Sequence, residues 1–142
     1  YPEVVARLRD GDRAYLGATA KEVLRLRTIL PVAAARTLLP EESVVLIDAH
    51  TLHHDPELFP EPEAFRPERF LEDQIAPYSY LPFGGGAHRC LGASLATLEL
   101  EAAIAGITER FDLKPAGPPE RALRRGPTLV PAGGARVRAR PR

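Results

Sequence analysis

Cys90 is the only cysteine among 142 residues, and it closes the run Phe83-Gly84-Gly85-Gly86-Ala87-His88-Arg89-Cys90-Leu91-Gly92. Three consecutive glycines permit backbone conformations that other residues avoid, and they let the main chain come close to a flat or bulky group. The spacing predicts a helix that starts at Cys90 and runs to about Arg110. A thiol in its first turn would sit near unpaired N–H groups and the positive end of the helix dipole, both of which favour the thiolate. His88 and Arg89 add donors or positive charge. The loop is therefore suited to holding an anionic sulfur against something that needs backbone room.

The same residues admit other uses. A lone cysteine after a glycine turn can be a small buried hydrophobe. A phosphate loop would need Lys then Ser or Thr after its last glycine, and neither is present. One cysteine cannot supply a structural zinc set. A nucleophilic thiol with His88 as its base would need an alignment that adjacent side chains on one turn rarely reach.

Two further clusters carry charge. Glu22 and Arg25 share a helix face, where they can pair as an exposed couple worth a few tenths of a kcal/mol. His50, His53, His54 and Asp55 have the composition of a metal site. Adjacent His53 and His54 point in different directions, however, and no helix is predicted to align them.

The elements around these residues follow from pattern. Asp12 is an N-cap candidate, and Tyr15, Leu16, Ala20, Val23 and Leu24 recur at helical spacing to about Thr28, before Pro31. Residues 43–47 (Ser-Val-Val-Leu-Ile) read as a buried strand. Between Pro56 and Pro67 the proline density excludes regular structure, while Phe59 and Phe65 argue for a packed loop. In the helix after Cys90, one stripe holds Leu91, Leu95, Leu98 and Ala102, and a second holds Leu100, Ile104, Ile107 and Phe111. Apolar on two sides, it reads as a core helix. Short strands are expected at Thr128–Val130 and Ala135–Arg138.

Composition bounds the function. Nineteen basic and 19 acidic side chains give zero formal charge and a pI near 7.1, which argues against a general nucleic-acid binder. The arginines after Glu120 fit an edge strand with its charges outward. An intramolecular disulfide is excluded. No apolar stretch approaches the roughly 20 residues of a membrane-spanning helix.

Together the motifs resemble the cytochrome P450 superfamily, the haem-thiolate monooxygenases, in its bacterial form. Phe83-x-x-Gly-x-His88-x-Cys90-x-Gly92 is similar to the family's haem-binding signature, with His88 where many members have Arg. Glu22-Val-Leu-Arg25 resembles the Glu-x-x-Arg of its K helix. Phe65-Arg-Pro-Glu-Arg69-Phe70 resembles the loop motif that brings a second arginine, and the three stand in the family's order.

The resemblance implies a mainly α fold with small β sheets: K helix, proline-rich meander, cysteine-ligand loop, L helix and terminal β segment. By it, residues 1–142 are a C-terminal haem-binding fragment, and the N-terminal part for substrate and oxygen activation is absent. Cys90 would be the axial ligand of haem b (iron protoporphyrin IX), with Gly84 and Gly86 letting backbone pass close to the porphyrin, Phe83 packed near the loop and Gly92 completing the motif. His88 would hydrogen-bond one haem propionate and Arg36 the other. Arg69 would join Glu22 and Arg25 in a buried structural network. The His50–Asp55 segment would support the fold.

An electron-donor ferredoxin or flavoprotein reductase would dock beside Arg89, and the full-length protein would act on a small organic substrate in the cytoplasm. Thr108 follows the cysteine and so falls in the wrong helix for the oxygen-activating threonine, which leaves no catalytic residue in the chain. Only a short stretch separates Arg36 from Val44, so the sheet there is expected to be shortened. A non-catalytic haem-binding remnant and a small interaction domain with an inert cysteine remain as alternative readings.

Overall fold

The computed structural model describes residues 1–35, 45–72 and 75–142. Arg36, Ser43 and Val44 lie outside the described residues, and with them the expected shortening of the sheet.

The longest helices form the frame. Helix α1 (Pro2–Arg9), which no sequence pattern announced, places Pro2 where a missing N–H costs nothing. Its Arg9 donates to the Thr108 carbonyl at 2.8 Å and to the Phe111 carbonyl at 3.1 Å, both near the C-terminal end of α5 (Ala93–Arg110). Helix α2 (Arg13–Leu26) is capped by Asp12, whose carboxylate accepts from the Tyr15 amide at 2.9 Å. It packs against α1, α5 and the short α4 (Arg69–Glu72). Tyr15, Ala18, Ala20 and Leu24 of α2 form the core with Phe59 and Ala93. The Pro56–Pro67 segment has turns but no regular element, and it delivers Phe59 to that core at 1% exposure.

Among the described residues the strands form three two-stranded antiparallel sheets. Strand β1 (Val32–Ala35) pairs with β2 (Val45–Asp48). Strand β3 (Phe111–Pro115) pairs with β6 (Val137–Pro141), and β4 (Ala122–Arg125) pairs with β5 (Thr128–Pro131).

Three expectations need correction. Strand β2 is not buried: all four of its residues are exposed, Leu46 at 65%, and among the described residues its one strand partner is β1. Helix α5 is not wrapped on two sides. It packs on α1, α2 and β3, while Leu95 and Leu98 stay more than half exposed. The histidine cluster does lie on a helix, α3 (Ala49–His53), capped by Asp48, which sends His53 inward and leaves His50 outside.

Candidate functional site

The cysteine loop closes on itself. The Cys90 amide donates to the Phe83 carbonyl at 2.9 Å, and the Gly84 amide donates to the Leu81 carbonyl at 3.2 Å. Inside that closure Gly84 (φ +72°) and Gly86 (φ +58°) take left-handed conformations that a side chain would strain. Gly86–His88 then make a single 3-10 turn.

This closure corrects the expected helix start. Helix α5 begins at Ala93 with Gly92 as its cap, so Cys90 precedes the helix and is not in its first turn. The bond to Phe83 holds Cys90 in the loop, and its carbonyl accepts from the Ala93 amide at 3.3 Å. The amides of Leu91 and Gly92, directly after the thiol, have no acceptor among the described residues.

Cys90, His88 and Arg89 are exposed, with no side-chain partner among the described residues, and Phe83 is half-buried. Leu91 is fully exposed and begins an apolar stripe with Leu95 and Leu98 along α5. A soft sulfur donor thus stands beside a glycine-lined loop and an open apolar strip.

Glu22, Arg25 and Arg69 meet in a buried cluster. The Glu22 carboxylate accepts from Arg25 through two bonds, at 2.7 and 2.9 Å, and from Arg69 Nε at 3.2 Å. It also accepts the Arg66 amide at 2.9 Å. Glu22 and Arg25 are 0% exposed and Arg69 is 1%. Two guanidiniums facing one carboxylate leave an excess positive charge, which carbonyl oxygens of the proline-rich loop answer. Arg25 donates to those of His53 and Pro62, and Arg69 donates to that of Pro60. The cluster therefore ties α2 to the meander.

The profile of the cytochrome P450 family matches residues 11–137. The chain belongs to the cytochrome P450 family. A putative cytochrome P450 138 of Mycobacterium tuberculosis is 32% identical over 96% of this chain and 34% of its own length. The canine cytochrome P450 3A12 is 38% identical over 71% of this chain and 22% of its own length. Among solved structures, retinoic acid-bound cyanobacterial CYP120A1 superposes with a TM-score of 0.84 at 26% identity, over 99% of this chain and 39% of that one. The chain spans about a third of the length of the mycobacterial relatives and about a fifth of that of the canine one. Its mainly helical architecture with small sheets is that of the corresponding part of the P450 fold.

Cytochromes P450 carry haem, and the residues present fit it. The donor set is one exposed thiol, which no group of His, Cys, Asp or Glu among the described residues joins into a multi-ligand metal site. An added Cβ at Gly86 would meet nothing within 4 Å, so the loop there is open to a large neighbour. Arg36 lies outside the described residues. No helix among the described residues is long and apolar enough to cross a membrane.

His53 was legible only as part of an ambiguous cluster, and the structure gives it a definite place. It is fully buried. The Thr28 hydroxyl, 3.0 Å from Nδ1, donates to the Arg25 carbonyl, so it accepts the Nδ1 proton. Nε2 is then free to accept the Leu81 amide at 2.9 Å. Burial, and next the Arg25 guanidinium, lower its pKa from 6.5 to about 4.

The depressed value has a consequence for stability. As pH falls below 6.5 the unfolded ring takes a proton that the folded ring refuses until about 4. The contribution of His53 is complete above pH 6.5 and lost progressively down to pH 4. Thermal melts across this window should show a falling Tm, and His53→Gln, which cannot titrate, should flatten the dependence.

Proposed function

We propose that residues 1–142 are the C-terminal haem-binding portion of a cytochrome P450 monooxygenase, in which the Cys90 thiolate would hold the iron of haem b. The observation that carries this reading is the exposed Cys90 thiol at the end of a closed glycine loop, next to an exposed leucine stripe. Bound haem supplies oxygen activation, for insertion of one atom of O2 into a bond of an organic substrate.

The roles of this chain's residues follow from their places. Leu91 and Gly92 present amides that have no acceptor among the described residues directly after the sulfur, a means of stabilising its negative charge. Gly84 and Gly86 hold the tight loop path, and Phe83 anchors its closure through its carbonyl. His88, exposed on the 3-10 turn, serves a haem propionate. A ferredoxin or flavoprotein reductase delivers electrons on the face that bears Arg89. Substrate selection and oxygen activation belong to sequence outside this span, so the chain alone does not turn over.

Haem titration into the purified chain tests this. Stoichiometric, saturable uptake is expected, with no product formed when an electron donor and O2 are supplied. Absence of uptake would overturn the haem-binding reading, and turnover by the chain alone would overturn the assignment as an inactive part.

A further inference from the structure

We infer that His53 is a positioning residue for the Cys90 loop, pinning Leu81 at the loop's root through its Nε2 lone pair. The inference rests on the proposed role of Cys90. Among the described residues, the His53–Leu81 bond is the one hydrogen bond that joins residues 81–92 to an element other than α5, which follows the segment directly. The other bonds of the segment are internal or run to the start of α5: Gly84 to Leu81, Arg89 to Gly86, Cys90 to Phe83, Ala93 to Cys90 and Ala96 to Gly92.

Leu81 is the hub of this arrangement. Its amide is held by His53, and its carbonyl holds the Gly84 amide. Its side chain lies so close to Gly85 that a Cβ there would come within 3.1 Å of Leu81 Cδ2. Freedom at Leu81 therefore passes directly into the glycines that set the path to Cys90.

His53 is itself held at three points. Thr28 takes the Nδ1 proton, Arg25 takes the backbone carbonyl at 2.7 Å, and the ring stacks at a tilt 5.5 Å from Tyr80. The same Arg25 belongs to the cluster with Glu22 and Arg69. The buried cluster and the thiol loop, which share no direct hydrogen bond among the described residues, are thus coupled through one residue, whose carbonyl accepts from Arg25 and whose ring accepts from Leu81.

The test reads amides that His53 does not touch. In the haem-free chain, His53→Leu should raise hydrogen exchange at Gly84 and Cys90 about tenfold, the loss expected for one buried hydrogen bond. The amides in the middle of α2 should keep their protection. His53→Gln, which offers an oxygen near the position of Nε2, should restore slow exchange. In the haem-loaded chain with ferrous iron and carbon monoxide, His53→Leu should move part of the Soret absorption from the thiolate-type to the thiol-type position, and His53→Gln should not.

Unchanged exchange at Gly84 and Cys90 in His53→Leu would overturn the inference, as would exchange in His53→Gln as fast as in His53→Leu. Should His53→Leu fail to fold, Thr28→Val removes the acceptor of the Nδ1 proton, together with the hydroxyl's own bond to the Arg25 carbonyl, and leaves the imidazole in place. A rise of about threefold at the same amides is then expected, as for a weakened bond, and no rise overturns the inference. A wild-type chain with no thiolate-type band would defeat the haem reading alone, since the exchange comparison needs no haem.

Discussion

Replacing Glu22 with alanine is expected to destabilise the fold by about 3–5 kcal/mol, the cost of leaving buried charges without their counter-ion. Its carboxylate is the one negative charge shared by Arg25 and Arg69, and all three side chains are essentially inaccessible to water. Removing it leaves two desolvated guanidiniums facing each other across a cavity. Carbonyl dipoles of the meander would be the remaining compensation.

Arg25→Lys should cost nearly as much as Arg25→Ala. The guanidinium spans Glu22, His53 and Pro62 at once, from Nε and both terminal nitrogens. A single ammonium cannot reproduce that fork. As a control, the exposed Arg142–Asp112 pair, 3.8 Å apart, should contribute under about 1 kcal/mol when Arg142 is changed to alanine. For a chain of this size the Glu22→Ala loss corresponds to a Tm lower by roughly 6–20 °C. A shift in Glu22→Ala no larger than that in Arg142→Ala would mean the cluster is not the anchor between α2 and the meander.

The local part of this cluster was readable in the sequence, because Glu22 and Arg25 sit one helical turn apart and Asp12 marks where the helix begins. Arg69 was readable only through its motif, since nothing in spacing alone ties it to a carboxylate 47 positions earlier. His53 escaped for a related reason. Its partners Thr28 and Leu81 lie 25 and 28 positions away, and neighbouring His50 and His54 made the segment look like a metal cluster.

Other misreadings have physical causes as well. Periodicity placed Cys90 inside a helix because its neighbours are compatible with one. The Cys90–Phe83 bond competes successfully for that amide and delays the helix to Ala93. Apolar runs at 45–47 and along α5 identified surfaces that want cover, yet a sequence pattern does not say which element provides it. In this chain Leu46, Leu95 and Leu98 have no such cover among the described residues. The glycine loop was the most legible feature of all, since Gly84 and Gly86 each need a left-handed conformation.

The second large effect concerns the sulfur itself. Cys90 is the only thiol in the chain, so no other side chain can replace it as a thiolate donor. Its exposure means that Cys90→Ala removes no packed core group, and the fold should survive with a loss of well under about 1 kcal/mol. Any spectral change in that variant therefore reports ligation, not unfolding. Cys90→Ser, which keeps the size but offers a hard oxygen donor, should behave like alanine in this respect.

The decisive measurement is the absorption spectrum of the haem-loaded chain after reduction and addition of carbon monoxide, wild type beside Cys90→Ala. The proposed ligation predicts a red-shifted, thiolate-type Soret band in the wild type and its complete loss in Cys90→Ala, with the circular dichroism of the two proteins unchanged. A thiolate-type band that persists in Cys90→Ala, or a wild type that binds haem without one, would contradict it.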